Sequence, residues 1–228
     1  MTMLIDLQFS SAHHEWPELR DAILQAEADG CDTVWVFDHF DGTLLGGDRA
    51  VMECFTLLGA IAAATTTVGI GPLVANVANR HTAVLAAAAD TLHRISDGRL
   101  RIGLGAGAAP DKPWAREHRE RGIPLNPDLA GRHAAVIRQI ETLRALVPSP
   151  ITIGVNSVAL ATIAGAHADG VNVRLGSPNA AKYVAAARAA AGNRPFEASG
   201  WAHTTDQAAH EKARDLHLDR LIISRLGD

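Results

Sequence analysis

The sequence predicts an α/β protein of one domain over residues 1–228, a (β/α)8 TIM barrel whose last helix is truncated. Three observations predict it. Eight strand-like and seven helix-like runs alternate along the chain, where a doubly wound sheet more often uses fewer strands. The central strand runs, Val68 to Ala75 and Leu100 to Ala106, are near-continuous apolar stretches of the kind covered on both faces, and the helical run between them is long enough to return the second parallel to the first. The strand runs also end in small residues, at the carboxyl ends where such folds place their ligands.

Taken in order, Leu4 to Phe9 reads as the first strand and Glu15 to Asp29 as a helix stopped by Gly30. Thr33 to Phe37, β-branched and aromatic, is the second strand and ends in Asp38-His39-Phe40. A glycine-rich loop, Gly42 to Gly47, leads to a helix over Ala50 to Ala64. The helical run between the central strands carries Val84, Leu85, Ala88, Leu92 and Ile95 as its apolar face. Beyond Gly107, Ala109 to Asp128 holds four prolines and many charges, and reads as an exposed excursion with the makings of a lid. Leu129 to Leu146 regains helical spacing through Val136, Ile137, Ile140, Leu143 and Leu146, and the Pro148-Ser149-Pro150 break introduces a strand over Ile151 to Val155. Ser157 is placed to cap a helix to Ala168, Val171 to Leu175 is a strand, and Ser177-Pro178 pairs an N-cap residue with proline at the first position of a helix to about Ala191. Glu197 to His203, Asp206 to Leu216 and Leu221 to Ser224 supply the last strand, helix and strand. Without a final helix an apolar flank of the barrel would face water, which predicts a homodimer.

Composition narrows the partners. With 47% hydrophobic residues and a formal net charge of -4, the chain has a sizeable core and no basic footprint, so neither nucleic acid nor a membrane surface is expected and a small-molecule substrate is. Cys31 and Cys54 lack metal-type spacing, so no metal site and no disulfide framework is expected. The start, MTMLIDLQF, has no basic n-region or long apolar h-region, and the alanine-rich runs are too short to span a bilayer, which fits a cytoplasmic protein.

The strand ends bring together Asp38 and His39, Val74 to Asn76, Gly103 to Ala108, Gly154 to Ser157, Leu175 to Ser177, and His203 with Thr204. No Ser-His-Asp pattern, H-E-x-x-H or phosphate-binding G-x-x-x-x-G-K-[ST] is present, which moves the weight to chemistry carried by an organic cofactor. His39 is the candidate proton donor or acceptor, weighed evenly against a hydrogen-bonded structural histidine because the chain has eleven. Asp38 either hydrogen-bonds a ligand, orients His39 or forms a turn. The run Gly103 to Ala108 satisfies the loose G-x-G-x-x-[GA] pattern but opens into Ala109-Pro110-Asp111 rather than a helix. Its glycines are read either as a wall without side chains for a flat ring, or as tight packing. Gly154 to Ser157 and Gly176 to Pro178 precede helices whose free N–H groups suit phosphate, or need only ordinary capping.

The runs Val34 to Phe40, Arg80 to Gly107 with its Ile95-Ser96-Asp97-Gly98-Arg99 and Gly103-Leu104-Gly105-Ala106-Gly107 segments, Ile151 to Gly154, and Ala168 to Asn172 resemble the bacterial luciferase-like family of flavin- and deazaflavin-dependent oxidoreductases. The resemblance implies a shortened luciferase-like barrel that holds coenzyme F420, or alternatively FMN, at its carboxyl face. It places Asp38 and His39 beside the ring, a non-prolyl cis peptide at Val74 within Val74-Ala75-Asn76, Gly105, Ala106 and Gly107 along the ring, and Gly154, Asn156, Gly176 and Ser177 near the phosphate. Three departures stand out: Ala108 where similar sugar-phosphate dehydrogenases carry a catalytic glutamate, Val155 in place of a second glycine, and a short link between Leu146 and Ile151. The function implied is hydride transfer between the deazaflavin C5 and a small organic substrate with His39 assisting protonation. The alternatives are an FMN-dependent monooxygenase and a non-catalytic cofactor-binding barrel.

Overall fold

The computed structural model describes residues 3–47, 49–203 and 207–225. Its strands are β1 (Leu4–Phe9), β2 (Thr33–Val36), β3 (Gly69–Pro72), β4 (Ala75–Asn76), β5 (Ile102–Gly105), β6 (Ile151–Val155), β7 (Gly170–Arg174), β8 (Glu197–Ala202) and β9 (Arg220–Arg225). All pair in parallel in the order β3-β2-β1-β9-β8-β7-β6-β5-β4. β3 and β4 are two halves of one stave, separated by a cis peptide between Leu73 and Val74. Ile70 on the first half bridges Leu100, and Ala75 on the second lies opposite Leu104, so the ends of the sheet meet and the eight staves form a barrel.

The helices are α1 (Trp16–Ala28), α2 (Cys54–Ala64), α3 (Thr82–Ile95), α4 (Arg116–Glu120), α5 (Leu129–Arg144), α6 (Val158–His167), α7 (Ala180–Ala191) and α8 (Gln207–Asp215). None among the described residues is long and apolar enough to cross a membrane. Their inner faces and the outward residues of the strands, such as Val34, Val36, Leu221 and Ile223, form one continuous core. A fully buried leucine or isoleucine contributes roughly 1.5–3 kcal/mol there. α6 and α7 approach so closely that a Cβ on Gly165 would lie 2.1 Å from the Ala187 carbonyl oxygen.

The barrel interior is more polar than the apolar strand runs predict. Asp6, Gln8, Thr33, Thr152, Asn172, Ser199 and Arg220 are all buried, because inward positions alternate with outward ones and the inward side chains must satisfy one another. At the amino end, the Arg220 guanidinium reaches Asp6 at 3.0 Å, Glu197 at 2.8 Å, and Asp32, while the Trp35 indole donates to Asp6 at 2.9 Å. Above this ionic floor Trp35, Leu73 and Ile222 pack together, and Val74 and Trp201 lie against them toward the mouth. The guanidinium of Arg99, just after the left-handed Asp97-Gly98 turn, donates to Ala62, Thr65, Val68 and Ser96, tying the end of α2 to the start of β3.

Several boundaries differ from the sequence reading. α3 buries Leu85 and Leu92 as expected, together with Ala86 and Ala89, and leaves Val84 and Ile95 exposed, since the face nearest the barrel runs through those two alanines between the leucines. α2 begins at Cys54, not Ala50, because the Glu53 carboxylate caps it by accepting the Thr56 N–H. Ser177 and Pro178 do not start α7. The Ser177 hydroxyl accepts the Asn179 N–H in a tight turn, Asn179 is the residue before the helix, and the first helical residue is Ala180. Leu146 lies beyond the end of α5 and is exposed. Gly42 to Leu45 forms a single 3₁₀ turn capped by Asp41. Ser157 caps α6 as expected. Thr204 and Asp206, assigned to a strand end and a helix start, lie outside the described residues.

Candidate functional site

Two adjoining cavities, of about 380 Å³ and about 370 Å³, open at the carboxyl ends of the staves. Asp38, His39, Val74, the Gly105-Ala106-Gly107 run, Asn156 and Leu160 line both, so the two form one trough. Gln8, Asn172, Arg174 and Trp201 line one end, and Lys112, Trp114, Glu117, His118, Arg132 and His133 the other.

His39 stands in this trough because β2 ends at Val36 and the chain carries Phe37, Asp38 and His39 across the mouth. Its Nδ1 lies 2.8 Å from Oε1 of Glu117, a side chain only 1% exposed. The other oxygen of Glu117 accepts the backbone N–H of Phe40 at 2.6 Å and of Asp41 at 3.1 Å. A carboxylate can only accept, so Nδ1 carries a proton, and in its neutral form the ring has its lone pair at Nε2. Burial pushes the Glu117 carboxyl up, but the hydrogen bond and charge of His39 together with the Phe40 and Asp41 amides hold it below the ordinary range.

Asp38 is buried and its carboxylate is fully engaged. Arg80 donates to its two oxygens at 2.8 and 2.9 Å, and the Asn76 N–H donates at 2.9 Å. It therefore fixes the strand end after Val74 rather than touching His39. Arg80 also pairs with Glu53 and lies over the Phe55 ring at 4.9 Å. His118, at the same end as Glu117, places Nε2 at 2.7 Å from Asn79 Oδ1 and 3.1 Å from Asn76 Nδ2, and burial pushes its pKa below the usual imidazole value.

The glycines have a measurable reason. A Cβ on Gly105 would lie 2.6 Å from one methyl of Val74, one on Gly154 would lie 2.7 Å from the other, and one on Gly107, at φ +71°, would lie 2.7 Å from Asn76 Oδ1. Gly105 and Gly154 thus make room for the Val74 side chain, which forms the raised floor of the trough, and the Ala106-Gly107 surface beside it stays free of bulky groups.

Of the residues singled out from sequence, Asp38, His39, Val74, Asn76, Gly105, Ala106, Gly107, Gly154 and Asn156 line the trough. Ala75 is buried in β4, and Gly176 and Ser177 lie outside the lining. Sequence reading missed Glu117, Trp114, Arg174 and Trp201. Glu117 is hidden among the charges of the excursion, and no local pattern in the sequence marks it; its burial beside Ala115 and His118 emerges only in the fold.

The comparisons with known proteins agree with this geometry. The family model described as "Luciferase-like monooxygenase" matches residues 3–125, more than half of the chain. A 5,10-methylenetetrahydromethanopterin reductase of Archaeoglobus fulgidus is 36% identical over 90 residues, 40% of this chain and 24% of that protein. An F420-dependent glucose-6-phosphate dehydrogenase of Kineococcus radiotolerans is 36% identical over 93 residues, 40% of this chain and 27% of that protein. The chain thus spans about a quarter of each of these curated relatives. Among solved structures, an F420-dependent secondary alcohol dehydrogenase in complex with an F420-acetone adduct superposes with a TM-score of 0.76 at 16% identity, over 100% of this chain and 94% of that one. That similarity establishes the shared barrel, and the match over residues 3–125 establishes that the chain belongs to the luciferase-like monooxygenase family.

Proposed function

We propose that this protein is an F420-dependent oxidoreductase that moves a hydride between the deazaflavin C5 and a small organic substrate, with FMN as the alternative cofactor. The observation that carries this reading is His39, held through Nδ1 by a buried carboxylate and bordering the same trough as the Val74 floor and the Ala106-Gly107 surface. Support comes also from relatives whose names include F420-dependent enzymes. The trough fits a planar ring: its floor is one branched apolar side chain, and Ala106 and Gly107 beside it would let a flat group approach the backbone.

In this reading Val74, Ala106 and Gly107 support the ring, Gly154 and Asn156 lie toward the phosphate, and Ala75, Gly176 and Ser177 act only from behind or beyond the lining. The cofactor supplies the hydride chemistry when bound. His39 exchanges a proton through Nε2, Glu117 keeps the tautomer that leaves that nitrogen available, and the Val74-Trp201 wall excludes water. The acid missing at Ala108 is not replaced at that position, which favours substrates other than sugar phosphates. The non-catalytic alternative remains a distinct outcome of the same test.

We also propose a homodimer, supported by the exposed Val84 and Ile95 on α3, 57% and 53% accessible beside a shallow apolar groove against α2. A cytoplasmic, single-domain protein with no nucleic-acid or membrane partner fits the same reading.

Equilibrium dialysis against F420 and FMN, followed by assay with reduced cofactor and a panel of activated alkenes and ketones, tests the function. F420 binding with turnover is expected, and His39→Ala is expected to cut turnover about 10²–10⁴-fold with little change in cofactor affinity. Oxygen-dependent turnover with FMN selects the monooxygenase, binding without turnover selects the non-catalytic barrel, and binding of neither cofactor overturns all three.

A further inference from the structure

The trough is cationic at both ends, and its carboxylates are already paired. Asp38 is taken by Arg80 and Glu117 by His39. At one end Arg174 lies over the Trp201 ring at 5.5 Å with no ion-pair partner among the described residues. At the other stand Lys112 and the indole of Trp114, both of the 109–128 segment, with Arg132 of α5. Lys112 reaches the adjacent Asp111 at 3.0 Å, but that pair is 59% and 70% exposed and holds the lysine weakly. Arg132 spends only Nη1, on the carbonyl oxygens of Asn126 at 2.9 Å and Pro127 at 3.0 Å, and has no ion-pair partner among the described residues.

The Asn126 and Pro127 bonds fasten the turn before α5 and leave the rest of the Arg132 guanidinium uncommitted, with only the exposed Asp111, whose carboxyl Lys112 and Arg132 both pull down, to offset its charge. Arg132 lies four residues after Asp128, the N-cap of α5, near the helix end whose dipole favours acids and opposes a cation. It is half-buried and beside His133, whose pKa burial and the Arg132 charge push below the usual imidazole value. A half-buried guanidinium with donors to spare and no ion-pair partner among the described residues, lining a cavity of about 370 Å³ together with Lys112, suits an anion.

We propose that Lys112 and Arg132 bind the anionic group of the substrate, making the acceptor a small acid, a carboxylate or phosphate ester whose apolar body lies against Trp114. This rests on the reading above, in which the ring lies on the Val74 floor with its phosphate toward Gly154 and Asn156, at the Arg174 end. The Lys112-Arg132 end lies across His39 from it, on the side left for the acceptor. The same cations could instead take the acidic tail of the deazaflavin, and the experiment separates the two sources.

The probe is benzoate, followed by tryptophan fluorescence in the full-length protein, with Trp114→Phe to assign the signal. Saturable binding to the native protein is expected, weakened about tenfold or more in Arg132→Gln and in the Lys112→Gln/Arg132→Gln double variant, and largely retained in Arg132→Lys. F420 and its tail-less deazaflavin riboside are titrated against the same variants, with both affinities expected within about twofold of native. Benzoate binding that is absent from the native protein, or that persists unchanged in the double variant, overturns the proposal. So does a loss of F420 affinity with riboside affinity intact, which assigns the cations to the cofactor tail. Failure of the native protein to bind F420 is a separate result: it removes the oxidoreductase reading, while the benzoate titration still decides whether an anion site exists.

Discussion

Oε1 of Glu117 lies 2.8 Å from Nδ1 of His39, and the second oxygen of the same carboxylate receives the two backbone N–H groups that follow that histidine. One buried side chain from α4 thereby sets both the ring orientation and the loop that carries it. Glu117→Gln is expected to lower turnover about 10- to 100-fold, as loss of an orienting partner does elsewhere, with cofactor affinity nearly unchanged. Steady-state kinetics paired with a cofactor titration checks it, and an unaltered rate removes Glu117 from the mechanism.

The same carboxylate fixes the sign of a pH effect. Its pKa is depressed on folding, so its stabilising contribution is complete above the unfolded carboxyl value of about 4.3 and drains as pH falls below it. Urea denaturation at a series of pH values is expected to show the native protein losing its advantage over Glu117→Gln below about pH 4.3. An advantage that stays constant into the acid range contradicts the assignment.

Asp38 and Arg80 form a two-point pair in which both side chains are largely out of solvent, 1% and 11% exposed. Asp38→Ala leaves the guanidinium and the Asn76 N–H without their acceptor, and is expected to cost about 3–5 kcal/mol. Asp38→Asn, which keeps one acceptor oxygen, should cost less. Urea midpoints for the two variants test the order.

Gly105→Ala would place its methyl 2.6 Å from Val74 Cγ2. Overpacking of that kind costs about 1–3 kcal/mol, and Val74→Ala in the same chain should recover most of it. A double-mutant cycle reads the coupling directly. Independent, additive losses would show that the glycine serves something other than the valine.

The barrel was legible because its signals are local and repeated. Ile151 to Val155 and Leu4 to Phe9 declare themselves by composition, and Gly30 and Ser157 punctuate as their chemistry demands. His39 was legible by position alone. What escaped depends on distance in the chain: the acid that orients His39 is 78 residues away, and nothing in the sequence around it distinguishes it from the other charges of the excursion. The glycines of the Gly103 to Ala108 run were read either as a wall for a ring or as tight packing; Gly105 packs against Val74, as does Gly154, and that partner is one that only the closed barrel brings near. The face of α3 was read correctly at Leu85 and Leu92, which are buried, but Ala86 and Ala89 complete that face while Val84 and Ile95 turn outward.

That outward face yields a prediction for assembly. Val84→Glu together with Ile95→Glu is expected to halve the mass seen by light scattering, leaving the fold intact because neither side chain belongs to the buried core. A native protein that elutes as a monomer sinks the dimer.

Arg220, Asp6 and Trp35 stopper the barrel at its amino end, each at least 95% hidden from solvent. With that base closed, among the described residues the trough opens only at the carboxyl ends, so a group resting against Val74 would come and go by the mouth that a second ligand lying over it would block.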